Sequence, residues 1–407
     1  MKYAIVIPDG CADEPQESLG GRTPLQAANL PNMDRVTRLG LVGRANNVPA
    51  SFTPASDVAT LSLFGYDPLQ VYTGRSPLEA VAMGIRLGSR DWAVRCNLVT
   101  VENGEMRDFT AGHISSAEGL ELIRFLNSKL DGVAPDDQTL YEFIPGVSYR
   151  NCLVLRNVPA GMLTSESKTQ PPHDIPDRPI AEHFPKGPGS DFLNDLMNRS
   201  RDLLRDHPVN KKRVSEGKQP ATQIWLWGQG KAPVLQPFAK VYGKSGAIIS
   251  AVDLVRGVGL LLGWTRIDVP GATGYLDTDY AAKGKYGVAA LKDHDLVCVH
   301  VEAPDEASHE GKVQAKMKAL EEIDRHIVGP LLDALPRHGD WRILVSPDHR
   351  TPLRTRAHAH GAVPFAVAGT GIVSKRQASY DEVVAAGSDL AFEKGQDLMP
   401  WFLKERP

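Results

Sequence analysis

At 407 residues the chain exceeds one ordinary hydrophobic core, so two domains are expected. A hydrophobic fraction of 42%, a charged fraction of 23% and a net charge of −3 fit a soluble globular protein and offer no electrostatic footprint for nucleic acid or an anionic membrane surface. No apolar run reaches the length of a membrane span, no basic-then-apolar leader precedes the first strand, and the scattered cysteines (Cys11, Cys96, Cys152, Cys298) form no C-x-x-C pair, so a reducing cytoplasm is expected.

Lys2 to Ile7 reads as a buried strand. Pro8-Asp9-Gly10 follows, a carboxylate at a strand end with a glycine that permits a sharp turn. Asp13 and Glu14 lie farther out in an acidic loop and read as solvated turn charges. A second strand is expected over Leu41 to Ala45. The loop Ser51 to Asp57 then enters a helix over Val58 to Phe64, with Gly65 as its stop. Ser56 stands at that entry. It fits an N-cap, whose oxygen satisfies a free backbone N–H. It also fits a nucleophile, because the same N–H groups and the helix dipole stabilise a phosphate there. Ser76-Pro77 opens a further helix to Met83, with Ser76 at the N-cap.

From Asp91 the texture changes. Trp92 to Thr100 reads as a strand, and Glu102-Asn103-Gly104-Glu105 as a hairpin turn. Short strands and a helix run to about Arg156. A proline-rich stretch from Thr169 to Asp177, a helix from Asp191 to about Asp206 and a basic loop, Asn210 to Arg213, follow. Residues 88–219 are therefore read as an inserted, smaller α+β domain. The strand Gln223 to Gly228 is expected to return to the core. Strand and helix then alternate: Ala247 to Ser250, a helix to Leu262, the strand Leu296 to Val301, a long helix from Val313 to Leu335, and strands at Arg342 to Val345 and Val363 to Val367. Alternation on both sides of the insert argues an α/β fold, a mostly parallel sheet sandwiched by helices, built from residues 1–87 and 220–407.

Ligands gather where parallel strands end. The Leu296 strand is followed by Asp305-Glu306-Ala307-Ser308-His309, and the Arg342 strand by Ser346-Pro347-Asp348-His349. Asp305 and His309 share a helix face, though that spacing alone is common on solvated helices. Asp348-His349 alone is also a frequent turn dipeptide. His358-Ala359-His360 offers two imidazoles before the last strand, and spacing does not choose between them. Together these groups supply oxygen and nitrogen donors for one or two divalent cations. Such a cation would also activate a serine, which is otherwise a weak nucleophile.

Val6-Ile7-Pro8-Asp9-Gly10, Thr53-Pro54-Ala55-Ser56-Asp57, Pro304 to His309, Ser346 to His349 and His358-x5-Pro364-Phe365 occur in an order that resembles the alkaline phosphatase superfamily. Arg95 to Val99, Ala111 to Ile114, Pro171 to Ile175, His207 to Asn210 and Ile249 to Leu254 narrow the resemblance to the cofactor-independent phosphoglycerate mutases of the archaeal type, over essentially the whole chain. The resemblance implies an alkaline-phosphatase-like core with a substrate-binding cap, and two divalent cations. Manganese is the first expectation, with zinc, cobalt or magnesium as alternatives. Asp305, His309 and His358 would hold one. Asp9, Asp348, His349 and the Ser56 hydroxyl would hold the other. His358 is preferred to His360 because the family's third ligand precedes the Val-Pro-Phe strand at that spacing.

The same resemblance implies an isomerase of glycolysis and gluconeogenesis that needs no 2,3-bisphosphoglycerate. Ser56 would take phosphate from 3-phosphoglycerate, and the 2-hydroxyl of the reoriented glycerate would recover it. Arg95, Asn97, His113, Arg150, His173 and Asp174 are the expected contacts to the substrate's carboxylate and phosphate. A phosphatase, a phosphonate hydrolase or a homoserine kinase-like phosphotransferase could use the same metal core. The absence of a G-x-x-x-x-G-K-[ST] loop weighs against the kinase.

Overall fold

The computed structural model describes residues 1–404. Among them are thirteen strands: β1 (Lys2–Pro8), β2 (Leu41–Ala45), β3 (Trp92–Glu102), β4 (Glu105–Asp108), β5 (Leu140–Ile144), β6 (Arg150–Arg156), β7 (Gln223–Lys231), β8 (Gly246–Ile249), β9 (Thr265–Arg266), β10 (Leu296–Val301), β11 (Trp341–Val345), β12 (Val363–Gly369) and β13 (Ala391–Phe392). The chain divides into two compact units, Met1–Tyr72 with Val234–Pro407, and Thr73–Pro233. No helix among the described residues is long and apolar enough to cross a membrane.

The first unit holds an eight-stranded sheet in the order β13-β2-β12-β11-β1-β10-β8-β9. Strands β11, β1, β10, β8 and β9 run parallel, and β12 is antiparallel to both its neighbours. This is the α/β sheet expected. Every residue of β10 is buried, as is all of β1 after Lys2, which fits the unbroken apolar runs of strands covered on both faces. The register positions the chemistry. Pro8 pairs with Val301 and Val6 with Val345, so β1, β10 and β11 end at one edge of the sheet. Asp9, Glu302 and the segment from Ser346 to His349 therefore leave the sheet side by side. Gly10 then turns at φ +58°, where a side chain would also collide with Asp305 and Thr351.

The long helix after His309 forms, with a wider π turn over Asp324–Val328 between Val313–Ile323 and Gly329–Ala334. Pro330 has no N–H to return to residue 326, which favours a break in the α ladder there.

Asp13 is not a solvated charge. Its carboxylate is buried against Lys316 Nζ at 2.7 Å, with neither side chain exposed, and Lys316 also donates to the Thr351 carbonyl at 3.0 Å. The Leu353 N–H donates to the same carboxylate at 3.2 Å. This pair ties the loop after β1 to the loop after β11. Lys316→Met is expected to leave an uncompensated buried carboxylate and to cost about 3–5 kcal/mol, read as a lowered midpoint in urea unfolding.

The second unit holds a five-stranded antiparallel sheet, with β4-β3-β6-β5 in sequence and β7 on the other side of β3. The strand expected to rejoin the core sheet is thus β7 of this one. Its Trp225, Leu226 and Trp227 are buried in this unit's core. The helix Arg75–Ala82 packs on β3 and β7, so the division falls at Tyr72/Thr73 and Pro233/Val234 and not at the expected 87/88 and 219/220.

Two local readings also change. Gly74, at φ +133°, is the N-cap of that helix, and Ser76 lies inside its first turn. The expected basic loop is the helix Pro208–Ser215, in which Arg213 is buried and bonds Glu118 at 2.8 Å. The Asn103-Gly104 hairpin forms as read, with φ of +51° and +79°.

Candidate metal centre

The helix Ala303–His309 begins directly after β10 and carries Asp305 and His309 on one face. His309 Nε2 lies 2.9 Å from Asp305 Oδ2, and His358 Nε2 lies 3.4 Å from the same oxygen. The two Nε2 atoms are 3.1 Å apart. Each ring's Nδ1 is held by a backbone carbonyl, Arg356 at 2.9 Å for His309 and Pro54 at 3.2 Å for His358. Nδ1 donation leaves both Nε2 lone pairs aimed at one point beside a carboxylate, the orientation that metal-ligating histidines adopt. His360 is exposed and has no place in this cluster.

The second group forms around His349. Its Nε2 lies 3.1 Å from Ser56 Oγ and 3.5 Å from both Asp9 Oδ1 and Asp348 Oδ2. Ser56 is the first residue of the helix Ser56–Leu63. Its N-cap is Ala55, whose side chain cannot cap that end, and Asp57 Oδ1 accepts the Val58 N–H at 2.8 Å. The N-cap reading of Ser56 therefore does not hold, and the hydroxyl faces the imidazole and the carboxylates. Thr351 links the two groups: it accepts from His349 Nδ1 at 3.2 Å and donates to Asp305 Oδ1.

The electrostatics call for cations. Burial pushes the Asp9 carboxyl well up, and the nearby Asp348 and Glu302 add to the rise. Burial likewise lifts Glu302 to about 7 and draws His300 down to about 4. Burial would also raise Asp305, but the imidazoles of His309 and His358 outweigh it and hold Asp305 well below the usual carboxylate range. The hydrogen bond that protonated His309 donates to Asp305 in turn draws that imidazole up to about 9. Asp9 Oδ1, Asp348 Oδ2 and Glu302 Oε2 are buried with no hydrogen-bond partner. Orphaned carboxylate oxygens of this kind are costly unless a cation meets them. Three sets of donors have ligand atoms within 4.8 Å of one another, the spacing of metal ligands: Asp305 with His309 and His358, Asp9 with Asp305 and His349, and Asp9 with His300 and Glu302. Oxygen and nitrogen without thiolate suits manganese, cobalt or zinc. The residues present thus fit divalent cations.

His300, Glu302 and Thr351 are site residues that the sequence did not single out. The available signal was a lone histidine and a glutamate at the end of an otherwise apolar strand.

In the second unit Arg95 is buried on β3. Its guanidinium stacks 4.3 Å over Trp227 and pairs with Glu79 at 2.9 Å. Burial draws that guanidinium down to about 10. Two residues along, Asn97 accepts from Trp227 Nε1 at 3.1 Å, and the His173 ring lies 5.2 Å from Trp227. Arg150 stands opposite Asn97 in the ladder, over the Tyr149 ring. These four expected residues share one neighbourhood. Asp174 is exposed beside His173, at 3.8 Å. His113 is exposed on a turn at φ +48°, its N–H on Thr110 Oγ1.

The comparisons with known proteins agree with one another. Residues 37–210 match the profile of the 2,3-bisphosphoglycerate-independent phosphoglycerate mutase family. A mutase of that description from Methanothrix thermoacetophila is 48% identical over 400 residues, 98% of this chain and 98% of its own. A probable one from Geobacter sulfurreducens is 48% identical over 99% of this chain and 100% of its own. Among solved structures, a Pyrococcus horikoshii protein superposes with a TM-score of 0.83 at 28% identity, covering 100% of this chain and 98% of that one. The cofactor-independent phosphoglycerate mutase of Thermoplasma acidophilum does so with a TM-score of 0.67 at 25% identity, over 99% and 100%. Near-half identity along the full length of both partners is the reach of one family, and the chain belongs to the 2,3-bisphosphoglycerate-independent phosphoglycerate mutases.

Proposed function

We propose that the chain interconverts 3-phosphoglycerate and 2-phosphoglycerate through a phosphoserine on Ser56, in glycolysis and gluconeogenesis, without 2,3-bisphosphoglycerate. The observation that carries this reading is Ser56 Oγ at a helix start, 3.1 Å from His349 Nε2, which itself lies 3.5 Å from two orphaned carboxylate oxygens. A serine there has no capping work to do. Asp305, His309 and His358 would hold one divalent cation, manganese first, and Asp9, Asp348, His349 and Ser56 the other. When bound, such cations lower the pKa of the serine hydroxyl and offset the charge on the transferring phosphoryl group.

The chain's own residues do the rest. The Ser56 and Asp57 N–H groups at the start of Ser56–Leu63 cradle the phosphate, the Val58 N–H being taken by Asp57 Oδ1 at 2.8 Å. Arg95, Asn97, Arg150 and His173, with His113, hold the substrate's carboxylate and phosphate, and Asp174 accepts from a glycerate hydroxyl. Glycerate must be retained between the two transfers, since water at the phosphoserine would make the enzyme a phosphatase. Four free, buried thiols support a reducing, cytoplasmic setting.

The test is a coupled assay. The purified protein should form 2-phosphoglycerate from 3-phosphoglycerate with neither 2,3-bisphosphoglycerate nor ATP added. Release of inorganic phosphate alone would make it a phosphatase, and an ATP requirement a kinase. Histidine substitutions test the ligand set. His358→Ala is expected to lose one equivalent of metal together with activity, and His360→Ala to keep both, by elemental analysis. The opposite pattern would mean that His360 is the ligand.

A further inference from the structure

The Ile249-Ser250-Ala251-Val252-Asp253-Leu254 motif and the lone histidine of β10 have no part in the scheme above, yet the structure joins them. β8, β10 and β1 are adjacent, with Ile249 paired to Val299 and Ile7 to His300. At the edge where these strands end, Ser250 lies on one side of His300 and Asp9 on the other. Ser250 Oγ is 3.0 Å from His300 Nδ1, and His300 Nε2 is 2.7 Å from Asp9 Oδ2. All three side chains are buried.

The direction of this chain of hydrogen bonds follows from its far end. Ser250 Oγ accepts the Val252 N–H at 3.0 Å, as in an ST turn, and the Val252 carbonyl lies farther off at 3.4 Å. The better acceptor for the serine proton is His300 Nδ1. Nδ1 then carries no proton, Nε2 does, and Nε2–H donates to Asp9 Oδ2. The platform is itself anchored: Arg256 Nε donates to the Ser250 carbonyl at 2.6 Å and Lys283 Nζ to the His300 carbonyl at 3.4 Å.

We propose that His300, oriented by Ser250, is a positioning residue for the metal ligand Asp9. It engages Oδ2 and so turns Oδ1, which has no other partner, toward His349, Asp348 and Ser56. This rests on the reading of Asp9 as a ligand. It explains why a polar side chain interrupts an apolar strand and why a serine stands at the end of β8. In a buried site a hydrogen bond of this kind is strong, and an imidazole that holds a ligating carboxylate sets its orientation.

Calorimetric titration of manganese into chelator-stripped protein tests the proposal without reference to turnover. Wild type should bind two equivalents. His300→Ala should weaken one of them by about 10–100-fold, the usual cost of losing a second-sphere partner, and leave the other near its wild-type affinity. His300→Gln restores an N–H near the Nε2 position and should recover most of the loss. Ser250→Ala frees the imidazole to move its proton to Nδ1 and should fall between. Nitrogen-15 NMR of the metal-free wild type should show His300 protonated at Nε2 and not at Nδ1, a readout that needs no variant to fold.

Two tight equivalents in His300→Ala would overturn the proposal. So would a His300→Gln as impaired as His300→Ala, which would make the ring a ligand in its own right, or an Nδ1-protonated tautomer. A wild type that binds no manganese would instead defeat the metal reading on which the inference stands.

Discussion

Ser56→Ala is expected to reduce turnover by several orders of magnitude while leaving the fold intact. The hydroxyl makes one hydrogen bond, to His349, and caps no helix, so its loss should cost about 1 kcal/mol of stability. The effect on rate is of another size, because the covalent route disappears with the oxygen. Groups that act as a unit in catalysis lose most of their effect when one is removed, so the remaining donors around Ser56 cannot compensate. Stopped assays of 2-phosphoglycerate formation measure the rate, and mass spectrometry after rapid acid quench should find a phosphate adduct on the wild type and none on the variant. Near-normal turnover of Ser56→Ala would end the phosphoserine reading.

Exhaustive chelation is expected to have an effect of similar size, and manganese or cobalt should reverse it. The reason is charge. Asp9, Asp348, Glu302 and Asp305 converge within one buried region, and three of them present an oxygen with no hydrogen-bond partner. Without cations these carboxylates repel one another in a medium that screens poorly. The stripped protein should therefore also unfold at lower temperature. Metal at about 100 times its Kd should restore about 2.7 kcal/mol per site by mass action. Activity and melting temperature unchanged after chelation, with no metal detected by elemental analysis, would refute the two-metal site.

The comparison of sequence with structure turns on particular elements. The apolar runs that became β1, β10 and β11 were legible because strands buried on both faces need continuous hydrophobic sequence. The carboxylate-imidazole pairs after β10 and β11 stood out because they follow such runs directly. The Asn103-Gly104 turn was legible because few residue pairs take positive φ twice at low cost. The family itself was legible from the order of these motifs, and the near-full-length identity with known mutases bears that out.

Other features depended on partners distant in sequence. The pattern of β7 states that it is a buried strand and not which sheet it joins. It pairs with β3 because Trp225 and Trp227 find their packing in the second unit. Asp13 read as a surface charge because Lys316, its partner, lies 303 residues away. Ser56 read equally as cap or nucleophile until the helix was seen to begin at Ser56 itself, with His349 facing the hydroxyl. His358 and His360 were equivalent by spacing, and the carbonyl of Pro54 and the carboxylate of Asp305 separated them. The sequence by itself determined which strands are buried and which side chains are candidates for the chemistry, because periodicity and residue type are local properties. The tertiary structure alone decided which of those groups meet, because the register of parallel strands and the pairing of buried charges are made between segments that the chain order does not bring together.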